Sequence, residues 1–191
     1  MKTRLAKDIG AEKAARLYRE LAEKNLEVLG RVSEPFRLVV AYDPPEKKDD
    51  VMKWLKPYRI KEYWPQKGAG LSERLANAFR SASRSNAKNY GPNQVLALGS
   101  DTMGLTPEII GEGFDALDVF DCVLGPSEDG GYYLIGLSVE DGGIFENIPW
   151  STSEVYQSTV RYLEREQLSY YRLPMLDDMD DIDDVRNLMN V

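Results

Sequence analysis

Apolar positions along the chain follow two different spacings. Intervals of three and four residues predict amphipathic helices, and short runs that are almost wholly apolar predict buried strands. Helical patterns cover residues 9–29, 46–55, 71–88, 151–167 and 182–189 and a segment that begins at 106, and strand-like runs cover 36–42, 59–64, 94–99, 121–125, 132–137 and 169–173. Because strands alternate with helices, the pattern predicts an α/β fold with a mostly parallel sheet flanked by helices.

Two of the predicted helices carry a recognisable start signal. Thr106 is followed by Pro107, which predicts an N-cap and a first helical residue. Ser151 and Glu154 have the spacing of a capping box, so we expect a helix to begin there.

Length and composition limit the number of domains. The chain has 191 residues, of which 42% are hydrophobic and 29% charged. A chain of this size can bury one sizeable core, and the composition is that of a folded protein. We therefore expect one domain that spans residues 1–191.

Several functional classes are excluded by composition. The chain has no histidine and one cysteine, Cys122, which rules out imidazole catalysis, a zinc site and an internal disulfide. Its formal charge of −8 disfavours nucleic acid as a partner. It contains neither an apolar run of the roughly 20 residues that span a membrane nor a signal-peptide core, so a cytoplasmic location is expected.

Charge is unevenly distributed. No Lys or Arg occurs from Asn89 to Val160, whereas that stretch has twelve Asp or Glu, and Asp177–Asp184 adds six aspartates. Lys2, Arg4 and Lys7 form a small basic cluster at the other end. A site for metal-bound polyphosphate needs this division between carboxylates and cations. Composition alone favours the alternative of a solvated acidic surface.

The first candidate site follows the most apolar predicted strand. Gly99, Ser100, Asp101 and Thr102 come directly after it. Ligands of open α/β sheets bind at the carboxyl ends of strands, and Mg²⁺ takes oxygen ligands from one or two carboxylates. Asp101 is therefore a candidate metal ligand, with an ordinary turn-forming aspartate as the alternative.

The second candidate site is the segment Gly125–Tyr133. Its Glu128 and Asp129 precede a glycine pair, Gly130 and Gly131, which suggests a backbone that approaches a ligand closely beside a carboxylate. Taken locally, the Asp-Gly pair between two strands more strongly favours a hairpin turn.

The remaining candidates are weaker. Lys2 and Arg4 could hold phosphates, and Arg74 follows a Gly68-Ala69-Gly70 loop whose N–H groups could face an anion. The aspartate-rich tail could supply a second metal carboxylate. The alternatives are solvated basic residues and an acidic first turn of the last helix.

Six segments, taken in order, resemble one bacterial family. They are KTRLA at 2–6, QKGAGLSERLANAF at 66–79, LGSDTMGLTPEII at 98–110, VLGPSEDGGYYLIGL at 123–137, IFENIPWS at 144–151 and LPMLDDMDDIDD at 173–184. The family comprises GT-A-like transferases described as selenium- or radical-enzyme-associated glycosyltransferases, including those linked to arsenosugar biosynthesis. It is related in fold to the phospholactate guanylyltransferases.

The resemblance implies a nucleotide-diphospho-sugar transferase fold and assigns roles to the candidate residues. The implied nucleotide contacts are Lys2, Arg4, Arg74, Gly99 and Ser100, the implied acceptor contacts are Gly130, Gly131 and Tyr132, and the implied Mg²⁺ or Mn²⁺ ligands are Asp101 with Asp178 or Asp180. Because no histidine exists, a carboxylate must act as general base. Asp129 is the implied base, with Glu128 behind it.

Two features depart from the family pattern. Members begin with an apolar strand and a Lys-x-Pro-x-Pro-Gly loop before Lys-Thr-Arg-Leu, and this chain starts at Met1-Lys2. We therefore expect the sheet to lack its first, central strand, which exposes two strand edges unless another segment or chain fills the gap. Sugar transferases of this fold carry Asp-x-Asp, but position 99 is glycine, which is closer to the nucleotidyltransferase arrangement.

Three functions remain open. The leading hypothesis is a metal-dependent glycosyltransferase that moves a sugar from a nucleotide-sugar to a small acceptor. The first alternative is a guanylyltransferase-like enzyme that transfers a nucleotidyl group from an NTP to a phosphorylated small molecule. The second alternative is a non-catalytic binding protein on the same scaffold. A homodimer is compatible with each of them.

Overall fold

The computed structural model describes residues 3–58, 60–86, 94–139 and 142–177. The helices within these ranges are α1 (Thr3–Ile9), α2 (Ala11–Leu29), α3 (Lys48–Trp54), α4 (Leu71–Asn86), α5 (Pro107–Leu117) and α6 (Val155–Arg165). The strands are β1 (Val39–Tyr42), β2 (Glu62–Pro65), β3 (Val95–Leu98), β4 (Cys122–Pro126), β5 (Tyr132–Leu137) and β6 (Tyr170–Arg172). None of the described helices is long and apolar enough to cross a membrane.

The described strands form two sheets. β1 and β2 pair in parallel, with Val39 opposite Glu62. The larger sheet has the order β3–β5–β4–β6. In it β4 and β6 are parallel, and β5 is antiparallel to both β3 and β4, so that β3, β4 and β6 share one direction. The predicted α/β fold with a mostly parallel sheet is confirmed.

The core lies on both faces of the larger sheet. Alternate residues of a strand point to opposite faces. Cys122 and Leu124 therefore pack with Phe79 of α4 and Leu163 of α6. Val123 lies between them in sequence and packs on the opposite face in a cluster that includes residues of α5. Helices thus cover both sides of β4, and all five residues of that strand are buried.

β3 is as apolar as β4 but less covered. All four of its residues are only partly buried. It is the terminal strand of the larger sheet, and within the described residues only β5 pairs with it.

Most predicted elements occur in the structure, although their ends differ by up to about four residues and α1 was not predicted. Thr106 is the N-cap of α5, where its Oγ1 accepts a hydrogen bond from the Ile109 N–H at 3.4 Å. The capping box at Ser151 and Glu154 is wrong, because Ser151 has a left-handed φ of 65° and α6 begins at Val155. The helix predicted from residue 9 is instead interrupted at Gly10, whose φ is 88°. The helix predicted at 182–189 lies outside the described residues.

Candidate active site

The loops that follow β3, β4 and β6 meet at the end of the larger sheet where these strands finish. These three strands are parallel, so their carboxyl ends lie on the same side. The Met103 N–H, just after β3, donates to the Asp177 carbonyl at 2.7 Å. The Leu176 N–H donates to the Pro126 carbonyl at 3.1 Å, and Ser127 bridges to Leu176 in parallel. The structure therefore brings the Asp101 loop together with the segment that leads into the aspartate-rich tail.

Helix α2 holds the Asp101 loop in place. Nδ2 of the buried Asn25 donates to the carbonyl oxygens of Ser100 at 3.3 Å and Thr102 at 3.0 Å, the two residues that flank Asp101. The hydroxyls of Tyr18 and Ser100 lie 2.6 Å apart and share a hydrogen bond. Both neighbours of Asp101 are thereby fixed to a helix about 75 residues away in sequence.

The roles of Asn25 and Tyr18 were not predicted from the sequence. Tyr18 lies on the apolar face of the helical pattern at 9–29, and no motif marks Asn25. Asn25 is four residues after Leu21, on the buried face of α2, where a polar side chain needs a partner. A polar residue on the apolar face of a helix is the sequence feature that could have indicated this contact.

The carboxylates at this edge fit a hard divalent cation. Within the described ranges no group of three or more Cys, Asp or Glu could hold a metal. Mg²⁺ usually takes only one or two protein carboxylates and keeps several waters, so a smaller set is sufficient. Asp101 remains a candidate for one such group, and the backbone carbonyl of Asp177 accepts a hydrogen bond from the N–H of Met103, two residues after Asp101. Asp178 and Asp180 follow Asp177 in sequence but lie outside the described residues.

The segment between β4 and β5 is a hairpin turn held by Asp129. Oδ1 of Asp129 accepts from the Ser127 hydroxyl at 2.6 Å and from the Gly131 N–H at 2.8 Å. The Ser127 N–H donates to the Gly131 carbonyl, which closes the turn. The hairpin alternative from the sequence is therefore observed. Asp129 and Glu128 remain exposed, and Oδ2 of Asp129 makes no hydrogen bond to another described residue.

Gly130 is required by a close backbone contact, and Gly131 has a tight contact with a side chain. Gly130 has a φ of 86°, and a Cβ there would lie 2.3 Å from the Ser153 carbonyl oxygen. A Cβ on Gly131 would lie 3.0 Å from Oδ1 of Asp129. The Gly130 carbonyl also accepts from the Tyr156 N–H at 2.9 Å, which joins the turn to the start of α6. Gly130 thus serves the packing of the turn against the segment that begins α6, whereas the contacts of Gly131 lie within the turn.

Tyr132 lies inside the core rather than at the exposed edge. Its ring packs edge-to-face against Trp150, with the two ring centroids 6.0 Å apart. Its buried hydroxyl has no hydrogen-bond partner of standard geometry within the described residues. Burial raises the pKa of the Tyr132 phenol, and the nearby Thr159 hydroxyl offsets part of the shift. This position favours packing over the acceptor contact predicted for Tyr132.

Arg74 is engaged with its own loop. Its guanidinium contacts Asp43 at 3.1 Å, the Gln66 side chain at 3.3 Å and the Gly68 carbonyl at 3.3 Å. Asp43 follows β1 and Gln66 follows β2, so Arg74 joins the carboxyl ends of these two strands to the start of α4. Of the other predicted phosphate contacts, Lys2 and the Arg4 side chain lie outside the described part of the chain.

Comparison with known protein families identifies the family of the chain. The model of a family described as an uncharacterized protein conserved in bacteria (DUF2064) matches residues 26–152, more than half of the chain. The chain belongs to this family. The matched region includes α4, the Asp101 loop and the β4–β5 hairpin. No curated protein matches the DUF2064 chain.

Solved structures similar to this DUF2064 protein share the nucleotide-diphospho-sugar transferase fold. One is a protein from Desulfovibrio desulfuricans G20 whose assignment as a nucleotide-diphospho-sugar transferase is provisional. It is 30% identical with a TM-score of 0.84, over 98% of this chain and 79% of that chain. The 4-diphosphocytidyl-2C-methyl-D-erythritol synthase of Anaerococcus prevotii DSM 20548 is 11% identical (TM-score 0.57, 87% and 83% covered). A CMP:2-keto-3-deoxy-manno-octonic acid synthetase complexed with CTP is 12% identical (TM-score 0.56, 89% and 87% covered).

Tyr133 ties β5 of the DUF2064 protein to the segment before the aspartate-rich tail. Its buried hydroxyl donates to the Pro174 carbonyl at 3.0 Å. Tyr133→Phe is expected to lower the free energy of unfolding by about 1 kcal/mol at pH 7, because the Pro174 oxygen loses its partner. Thermal unfolding should show a decrease in Tm of about 2–4 °C. Tyr132→Phe is the matched control: it removes a buried hydroxyl that has no hydrogen-bond partner of standard geometry within the described residues, so it is expected to be neutral or stabilising.

The same pair of variants tests the alkaline limit of stability. Burial, together with the charge of Glu112, raises the pKa of Tyr133 from near 10 to about 12. The folded state therefore keeps this proton more tightly than the unfolded state. Its contribution to stability is complete below pH 10 and is lost as the pH rises to about 12. Over this pH range the free energy of unfolding of Tyr133→Phe should fall less steeply than that of wild type. If the two proteins have the same dependence of stability on pH, the raised pKa of Tyr133 is contradicted.

Proposed function

We propose that the chain is a metal-dependent transferase that moves a sugar from a nucleotide-sugar to the hydroxyl of a small acceptor. The main support is the meeting of three loops at one sheet edge, which the 2.7 Å hydrogen bond between the Met103 N–H and the Asp177 carbonyl illustrates. A hard cation, a polyphosphate and an acceptor would all bind where three separate loops meet, each of which carries an aspartate. The similarity to the provisional nucleotide-diphospho-sugar transferase from Desulfovibrio supports the same activity.

Asp101 and a tail carboxylate, Asp178 or Asp180, would hold Mg²⁺ or Mn²⁺. When bound, the ion would neutralise the negative charge that develops on the leaving nucleoside diphosphate. The contribution of this chain is to hold the Asp101 loop still before the ligand arrives. Asn25 supports this role, since it fixes the carbonyls of Ser100 and Thr102 on both sides of the carboxylate.

Asp129 would act as general base on the acceptor hydroxyl. Two donors hold its Oδ1 in the hairpin, so the carboxylate has a defined orientation and Oδ2 remains available to accept a proton. For attack by a hydroxyl such a group acts mainly by positioning and late proton transfer. Glu128, the exposed neighbour in the same turn, would be the secondary carboxylate.

The nucleotide would bind on the N-terminal side of this edge. Lys2 and Arg4 would contact its phosphates together with the Gly99–Ser100 backbone. Arg74 would contribute through its loop, because its guanidinium already bonds to Asp43 and Gln66. A nucleotide phosphate near Arg74 would compete with these partners.

Nucleotidyl transfer to a phosphorylated small molecule is the second candidate. The observation that favours it is the single aspartate in the β3 loop, since position 99 is a glycine. Asp101 then serves without the second carboxylate of the Asp-x-Asp pattern. The chain's own residues would have the same positions under both candidates, so the substrate class must be determined directly.

A thermal-shift panel of NTPs and nucleotide-sugars, each with and without Mg²⁺ or Mn²⁺, tests both candidates. A ligand at about 100 times its dissociation constant adds about 2.7 kcal/mol of stability, which is several degrees in Tm at this chain length. We expect a metal-dependent shift with nucleotide-sugars. A shift with NTPs alone would favour nucleotidyl transfer. If no nucleotide shifts the Tm, the transferase proposal fails and a non-catalytic scaffold is the better account.

A further inference from the structure

Arg172 differs from the other described arginines of the carboxylate-rich half. After Asn89 the described arginines are Arg161, Arg165 and Arg172. Arg161 pairs with Glu154 at 3.4 Å and Arg165 with Glu166 at 2.8 Å. Within the described residues Arg172 has no carboxylate partner, although this half of the chain is rich in them. Its guanidinium lies instead over the ring of Tyr156, 5.9 Å from the centroid.

Arg172 also lies at the carboxyl end of the sheet, where the candidate active site is. It is the last residue of β6 and stands opposite Leu124 of β4 in the parallel register. Tyr170 packs in the core cluster on the α6 side and Tyr171 in the cluster on the other face. Strand alternation therefore places Arg172 on the α6 side, at the carboxyl end of the sheet, with its side chain exposed.

The residue beneath Arg172 is joined to the proposed catalytic hairpin. The Tyr156 N–H donates to the Gly130 carbonyl at 2.9 Å, and Gly130 directly follows Asp129. The Tyr156 ring is itself partly buried against the core cluster, so it offers a firm surface for the guanidinium. An arginine held over an aromatic ring keeps its N–H groups available for a further oxyanion.

We propose that Arg172, supported by Tyr156, binds an anionic group of the acceptor and makes the enzyme prefer anionic over neutral acceptors. The group is a carboxylate or a phosphate, which share the oxyanion geometry that a guanidinium binds through two hydrogen bonds. This inference rests on the proposed transferase function, because it names the substrate class of that site. A cation here also offsets the repulsion between such an acceptor and the carboxylates of the hairpin and the tail.

A binding experiment tests the subsite without any need for turnover. The Nε–Hε signal of Arg172 is identified in ¹⁵N NMR by its loss in Arg172→Lys, and the protein is then titrated with inorganic phosphate, acetate and chloride. We expect a saturable shift with phosphate or acetate and a much smaller one with chloride, and the stronger of the two ligands identifies the group. The signals of Arg161 and Arg165 should stay nearly constant, because the guanidinium of each already pairs with a glutamate.

Two outcomes would overturn the proposal. One is a shift that does not saturate or is equal for chloride, and the other is an unchanged affinity for phosphate and acetate in Arg172→Gln. We expect this variant to weaken binding about tenfold or more, whereas Arg161→Gln has no effect. Under turnover, Arg172→Gln should raise the KM for the acceptor and leave the nucleotide KM unchanged. If no nucleotide shifts the Tm in the thermal panel but anions bind at Arg172, the proposed transferase function is refuted and the anion site stands without it.

Discussion

The substitution Asp101→Asn is expected to abolish metal-dependent binding of the nucleotide while the chain keeps its fold. The amide retains the shape of the side chain but removes the negative charge that a divalent cation requires. Loss of an outer-sphere partner of a metal typically costs 10–100-fold in affinity, and a direct ligand contributes more. Isothermal titration of the nucleotide that the thermal panel identifies should therefore show a decrease of about 100-fold or more in the presence of Mg²⁺ or Mn²⁺.

Two further variants separate this loss from general effects of charge. Asp115→Asn makes the same chemical change on the exposed side of α5, two residues before the end of that helix and near the amino end of β4. It should bind nucleotide like wild type. Asp129→Asn should also bind nucleotide normally but fail to turn over, because an amide can still accept at Oδ1 yet cannot take the proton. If Asp101→Asn binds as tightly as wild type, Asp101 is not part of the site.

Local chemistry explains why much of the fold could be predicted from the sequence. The apolar runs at 94–99 and 132–137 became β3 and β5 because their side chains face helices on the sheet's two sides. Thr106 and Pro107 define the start of α5 by themselves, through a side-chain cap and a missing N–H. Ser151 failed as a cap because its φ of 65° is left-handed, and the hydroxyl of the neighbouring Thr152 accepts from the Glu154 N–H instead.

The candidate site was only partly predictable. Position after a strand suggested Asp101, since parallel strands bring their carboxyl ends together, and the adjacent glycine pair suggested Asp129. The contacts of Asn25 with Ser100 and Thr102 connect residues about 75 positions apart, which no local pattern indicates. The acceptor contact predicted for Tyr132 stays a prediction, although its ring packs edge-to-face against Trp150 beside the core. Arg172 was passed over because a single arginine in a strand resembles an ordinary surface residue.

Gly130→Ala is expected to be the most destabilising of the substitutions considered. The φ of 86° at this position is unfavourable for any residue with a Cβ, and that atom would stand 2.3 Å from the Ser153 oxygen and 2.7 Å from its Cα. Both neighbours are backbone, so relief requires the hairpin to move away from α6. The conformational cost of about 1–2 kcal/mol and a steric cost of about 1–3 kcal/mol together predict a loss of about 3–4 kcal/mol.

Gly10→Ala separates these two contributions. Gly10 has almost the same dihedral angle, 88°, but a Cβ there meets nothing within 4 Å. This variant should therefore show only the conformational cost, which is about 1–3 kcal/mol for a residue with a Cβ at a φ of 88° and a ψ of 150°. Chemical denaturation of both proteins gives the difference, which measures the contact between the hairpin and Ser153. Equal losses would mean that the segment at Ser153 yields freely. In that case the orientation of Asp129 could not depend on this packing, and Gly130→Ala would retain the turnover of wild type.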